Sequence, residues 1–247
     1  MTGPSGRSKR ESPDGDTPSD QPTGPAARDI VDVRLLDVLR GAGCPICAVR
    51  ARSEQATLDA IIDERVLDLR FRADLERRSG FCRRHVAELV STDRRRTGGI
   101  LGSSLLLSAI LDRRLGPVRA GLDGRKRRRR FGTAQDQPVR PPCIACSQGD
   151  AAVATALGRL ADRASDEAWA GALADSPFCL DDLIALATTG AGRPSLEPVL
   201  RRHVERLDAL RVRLEGFADH SSHDRRHLMT DPERSAADEA TKVLGGG

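Results

Sequence analysis

Cys44-Pro45-Ile46-Cys47 and Gly80-Phe81-Cys82-Arg83-Arg84-His85 are the motifs whose reading decides the fold. Thirty-four residues separate Cys47 from Cys82, and the two pairs together offer three thiolates and an imidazole, a set that suits tetrahedral Zn²⁺. A CxxC turn lets two sulfurs face one ion, and Cys82 and His85, three apart, share a face of a first helical turn. Between them, Leu58, Ile61 and Ile62 mark one helix from Cys47 to about Asp63, and Leu67, Phe71 and Leu75 mark a second that ends at Gly80. At about 1.5 Å per residue these legs run roughly 24 Å out and 17 Å back, so the spacing predicts a hairpin that returns Cys82 to Cys44. Four protein ligands leave no place for water, which makes the site structural rather than catalytic. Redox-active thiols and an iron–sulfur cluster are the competing assignments.

A second, altered copy of the pattern follows. Cys143-Ile144-Ala145-Cys146 and Phe178-Cys179-Leu180-Asp181-Asp182 lie 99 and 97 residues beyond their counterparts, with Phe before the third Cys each time, so the sequence predicts an internal repeat. Asp182 stands where the first copy has His85. A Cys143, Cys146, Cys179 and Asp182 set can hold zinc, but three thiolates and a carboxylate leave it about two charges negative, which lowers its expected affinity. His203, on the inward stripe of a later helix, is a substitute ligand or a core histidine with satisfied ring nitrogens, and the latter is favoured. His220, His223 and His227 lie in polar sequence and promise only incidental metal affinity.

Composition narrows the class. Of 247 residues 38% are hydrophobic and 31% charged, with five Phe, one Trp and no Tyr, so aliphatic side chains must supply the core. Abundant Ala, Leu, Arg and Glu favour an all-α protein. A net charge of +4 is too small to define a polycation, and no run is long and apolar enough for a membrane span, so a cytoplasmic protein without membrane contact is expected. In a reducing compartment CxxC pairs read as metal ligands or redox thiols before structural disulfides.

Two tandem helical modules are expected, each tied by its own Cys-rich metal knot. Residues 1–28 hold thirteen Pro, Gly and Ser and read as a disordered tail. Module one spans 29–121, starting with a helix that carries Val31, Leu35, Val38 and Leu39. A linker over 122–140 carries Arg125, Lys126, Arg127, Arg128, Arg129 and Arg130 ahead of a proline-rich stretch. Module two spans 141–218 and closes on a helix from about Ser195 to Phe217, whose stripe of Leu196, Val199, Leu200, His203, Val204, Leu207, Leu210, Leu214 and Phe217 is the clearest periodicity in the chain. Residues 219–247 are polar and read as a second disordered tail.

The order CPxC, helical hairpin, GFCxxH, helix, then a second CxxC and FCxx(H), resembles an uncharacterised bacterial family of domain-of-unknown-function proteins with two zinc-knuckle modules, over roughly residues 30–217, and departs from its pattern at Asp182, where the second His would stand. That resemblance implies a helical metal-binding fold and no particular activity. The leading functional expectation is a zinc-stabilised binding or adaptor protein acting on a protein partner, with an enzyme ranked third. A thiol-based redox or metal-responsive regulator working through the Asp182 site is the alternative. Weak, nonspecific nucleic-acid binding through Arg125–Arg130 is the other, with a solvated linker as the plainer reading of the same run.

Overall fold

The structure is a computed structural model that describes residues 24–78, 80–122 and 142–245. Most of the N-terminal tail and the whole Arg125–Arg130 run lie outside the described residues. The fold is all-α, with no strand among them.

Helix α1 (Ile30–Leu39) is started by the Asp29 carboxylate, which accepts the Asp32 N–H at 2.9 Å. Four later helices begin in a different way, each with a Cys as its N-cap and no side-chain cap of its own: α2 (Pro45–Ala60) at Cys44, α4 (Arg83–Thr97) at Cys82, α6 (Ile144–Arg163) at Cys143 and α8 (Leu180–Thr189) at Cys179. Short helices α3 (Leu69–Arg77) and α7 (Glu167–Asp175) precede α4 and α8. Asp68 and Asp166 cap them, each accepting two backbone N–H groups. Helix α5 (Leu101–Leu122) follows α4, and α9 (Glu197–His220) with α10 (Asp231–Leu244) closes the chain.

The organising contact is the antiparallel pairing of α2 with α6. Arg50 pairs with Asp150, the Ser53 hydroxyl donates to the Gln148 carbonyl at 3.1 Å, and Glu54 lies over Gly149, so positions rise along one helix as they fall along the other. Two cores form at the ends of this pair. Ile46 at the start of α2 joins α1, the far end of α6, Trp169, Phe178 and Val199 in one core. Leu58 and Ile61 at the end of α2 join Phe71, Phe81, Leu89, Ile110 and the start of α6 in the other. Each core therefore mixes residues from before and after the linker.

Helix lengths account for this arrangement. The sequence predicts legs of roughly 24 Å out and 17 Å back, with the return reaching Cys44. In fact α2 runs 16 residues and continues through a five-residue π-turn, Ile61–Arg65, whereas α3 has nine. At about 1.5 Å per residue, α2 alone goes out about 24 Å and α3 returns about 14 Å. The chain after α3 therefore turns at Gly80 and stays near the far end of α2. There φ is +83°, and a Cβ would come within 2.7 Å of Ile110, so only glycine serves. The same shortfall separates α6, of 20 residues, from α7, of nine.

The reading of 219–247 as a disordered tail is corrected. Thr230 and Glu233 form a reciprocal capping box at the start of α10, with Thr230 N–H to Glu233 Oε2 at 2.7 Å. Ala236 and Ala240 are buried against Leu210, with Leu214 and Val243 packed around them. The stripe 236, 240, 243 is helical, but two of its three members are alanines, which makes it easy to miss in a polar segment. The Ser195–Phe217 helix is observed as α9, though Val204 on its expected stripe is 53% exposed.

A buried ion pair locks α1 to α6. Asp32 is fully buried, meets the Arg163 guanidinium and accepts the Arg28 backbone N–H at 2.8 Å, while Arg163 lies over the Trp169 ring at 5.5 Å. Replacing Asp32 with Ala leaves a buried guanidinium without its counter-charge and is expected to cost about 3–5 kcal/mol in denaturant unfolding. Breaking the exposed Arg201–Glu197 pair by Arg201→Ala should cost under about 1 kcal/mol.

Candidate metal centres

All eight predicted ligands fall into two clusters, but not in the predicted sets. Cys82 and His85 join Cys143 and Cys146, and Cys44 and Cys47 join Cys179 and Asp182, with the donor atoms of each group within 4.8 Å of one another. One knot per module is therefore corrected to two knots between the segments. The antiparallel α2–α6 pair puts the start of α6 beside the end of α2, where the short return of α3 has left Cys82. By the same geometry the start of α2 meets α8.

Within each cluster three sulfurs surround one lighter donor. His85 Nδ1 lies 3.2, 3.4 and 3.3 Å from the sulfurs of Cys82, Cys143 and Cys146. Asp182 Oδ2 lies 3.1, 3.2 and 3.1 Å from those of Cys44, Cys47 and Cys179. The sulfurs themselves approach to 3.9 Å between Cys82 and Cys146 and 3.8 Å between Cys47 and Cys179. A zinc ion with bonds of about 2.3 Å to sulfur and 2.0 Å to nitrogen or oxygen sets tetrahedral edges of about 3.8 Å between sulfurs and about 3.5 Å from sulfur to the fourth ligand. The observed spacings follow that pattern, slightly contracted at the nitrogen and oxygen. Hydrogen bonding alone does not account for it, because a ring nitrogen has one lone pair or one proton and three thiols converge on it.

Every donor pair occupies the N-cap and third position of a helix, so two helix N-termini aim their free N–H groups at each cluster. This positive end of the backbone dipole offsets the negative charge that three thiolates bring to a divalent ion. Without an ion, burial dominates the thiols and pushes Cys44 up to about 11 and Cys146 up to about 12, with Asp182 adding to the rise at Cys44 and Cys143 to that at Cys146. Cys179 is raised too, by burial and then by its hydrogen bond to Asp182. Cys82 goes the other way. Burial opposes its thiolate, but the backbone N–H groups of His85 and Arg84 and the thiols of Cys146 and Cys143 together hold it below the usual range.

Behind the His85 cluster lies a layer of charged side chains that the ligand motifs do not reveal. His85 is fully buried, and its Nε2 lies 3.4 Å from both Glu54 Oε2 and Glu88 Oε2. Two carboxylates facing the outer nitrogen favour a proton there, which leaves Nδ1 free to ligate, while Arg84 Nη2 also lies 3.3 Å from Nε2. Glu54 is itself 3% exposed and is held by Arg84 at 2.7 Å. Its other oxygen has no hydrogen-bond partner among the described residues and lies over Gly149, where a Cβ would approach it to 2.9 Å. The signal was present in the sequence, since Glu54 continues the stripe Cys47, Leu58 and Ile61 as an acidic residue on an inward face.

His203 is a core residue rather than a ligand. Its Nε2 meets the Leu173 carbonyl at 3.0 Å, Nδ1 accepts from Arg206 at 2.9 Å, and its ring packs edge-on against Phe178. Burial, with Arg206 and Arg202 nearby, keeps it neutral by lowering its pKa, against the Leu173 hydrogen bond. Of the tail histidines, His220 meets Glu233 at 3.3 Å and joins neither cluster.

The regrouping is testable by combining substitutions. Cys82→Ser and Cys143→Ser should each remove one bound ion, and the double variant should remove no more than either alone. Cys82→Ser with Cys44→Ser should remove two, as read by metal content per chain. Separately, Glu54→Gln should weaken binding at the His85 cluster by about 10–100-fold in a chelator competition while leaving the Asp182 cluster unchanged.

Residues 27–139 match the model of a family of unknown function (DUF6062), a shorter stretch than the 30–217 over which the sequence motifs suggest a resemblance. The match takes in Cys44, Cys47, Cys82 and His85, which is one donor pair from each cluster. No curated protein and no solved structure matches the chain. Over residues 27–139 the chain is thus similar to an uncharacterised family that carries no assigned activity.

Proposed function

We propose that both clusters hold structural zinc and that the protein is a zinc-stapled helical scaffold for binding or adaptor work, built by duplication of one helical unit. The observation that carries this reading is the convergence of three sulfurs on a single nitrogen or oxygen, twice, each time between a pair from before the linker and a pair from after it. Four protein donors per cluster leave no coordination position for substrate, which favours a structural role over hydrolytic catalysis. Coupled metal binding supplies on the order of 10 kcal/mol per structural zinc, comparable with the whole stability of a domain. Two ions at the two ends of the α2–α6 pair would therefore decide whether the segments stay together.

A metal-responsive regulator is the second reading, and the Asp182 cluster is its natural seat. With zinc its four donors sum to about two negative charges against one for the His85 cluster, so it is the ion released first. In the metal-free protein burial raises the Cys44 and Cys179 thiols, which weighs against a peroxide sensor that relies on a free reactive thiolate there.

The expected metal content is two zinc ions per chain. Because bound thiolates and imidazole must give up their protons, affinity falls as pH falls, and the Asp182 cluster should empty at the higher pH of the two. Cys44, Cys47 and Cys179 should resist mild peroxide while zinc is bound, as read by thiol counting and mass spectrometry. Rapid oxidation of these three in the zinc-loaded protein would favour the redox regulator instead.

A further inference from the structure

The antiparallel α2–α6 pair and α1 enclose an open groove of about 690 Å³. Its floor is mostly apolar, with Ser53, Thr57 and Gln148 as its uncharged polar members. Val49, Ala56 and Ala60 follow one face of α2 at helical spacing, Ile61 continues them into the π-turn, and Ala56 is exposed. Three arginines line the same groove, Arg34 from α1 and Arg52 and Arg65 from α2 and its extension, and no Asp or Glu lines it. All three are exposed. Arg65 lies over the Phe71 ring at 5.8 Å, and neither Arg34 nor Arg52 has an ion pair among the described residues.

We infer that this groove binds an acidic amphipathic helix of a partner protein. The inference rests on the binding-scaffold reading above and names its partner by chemistry. The small side chains of Val49, Ala56 and Ala60 keep the α2 wall of the groove low, which lets another helix approach closely, as in helix-in-groove recognition. The charge distribution selects against a small anion. Arg52 and Arg65 are thirteen residues apart along nearly continuous helix, about 20 Å, so one carboxylate or phosphate does not meet both. An elongated ligand with carboxylates spread over several turns does. The apolar floor, in turn, gives a nucleic acid backbone nothing to bury. The chain's own linker is not the complement either, since Arg125–Arg130 has the same sign as the rim.

The test uses the full, zinc-loaded chain and a synthetic helix of about fifteen residues, long enough to span the floor. Leu and Ala occupy one face of the peptide and Glu the other, and a scrambled peptide of identical composition serves as control. The patterned peptide should bind at least about tenfold more tightly than the scrambled one. The double variant Arg52→Glu, Arg65→Glu should weaken it by about tenfold or more, a loss of about 1.4 kcal/mol, while metal content stays at the wild-type value. Equal binding of both peptides, an unchanged affinity in the variant, displacement of the peptide by an oligothymidylate of similar length, or no binding up to about 1 mM would each overturn the groove assignment. Metal content separates this from the scaffold reading. A wild-type chain without bound metal speaks against the staples, whereas a loaded chain that ignores the peptide speaks only against the groove.

Discussion

The pairing of α2 with α6 is the constraint from which the rest follows. Both helices are long, both are followed by a helix of nine residues, and a short return cannot carry the chain back to the start of a long outward leg. Cys82 and Cys179 are therefore stranded at the far ends of the helices that precede them. Running α2 and α6 antiparallel brings to each stranded end the start of the other long helix, with its own Cys pair. The exchange of ligands is thus a consequence of helix length and direction. Glu54 over Gly149, Arg50 with Asp150 and Ser53 with Gln148 hold the crossing in register.

Helix termini then solve the electrostatic problem of gathering thiolates. Each donor pair begins a helix, so the backbone N–H groups that an ordinary cap would satisfy are directed at sulfur. The clusters differ in what lies behind the fourth donor. His85 is backed by Glu54, Glu88 and Arg84, a layer that orients the ring and balances charge. Asp182 presents one oxygen to three sulfurs at equal distance, a harder and more negative fourth ligand.

Much of this was legible in the residues, for identifiable reasons. Alanine- and leucine-rich periodicity without aromatic alternation gives helix from local propensity, and CxxC and CxxH at helix starts give ligands from local spacing. Pairing between the motifs is not local information. It depends on where α3 begins, and the helical run from Cys47 to Asp63 hides a π-turn and a late restart at Leu69, which lengthen one leg and shorten the other. Helix α10 escaped because Ala236 and Ala240 bury too little surface to raise the hydrophobic signal of a polar segment, although Thr230-x-x-Glu233 was a readable capping box. His203, by contrast, was readable as a core histidine from its place on the α9 stripe.

On the proposed pairing, each metal ion is held by one donor pair from each side of the linker. That pairing is tested most directly by cadmium-113 substitution, with scalar couplings traced from each ion to the cysteine β-protons. The account predicts one ion coupled to Cys82, Cys143 and Cys146 and the other coupled to Cys44, Cys47 and Cys179. An ion coupled to Cys44, Cys47 and Cys82 together would contradict it.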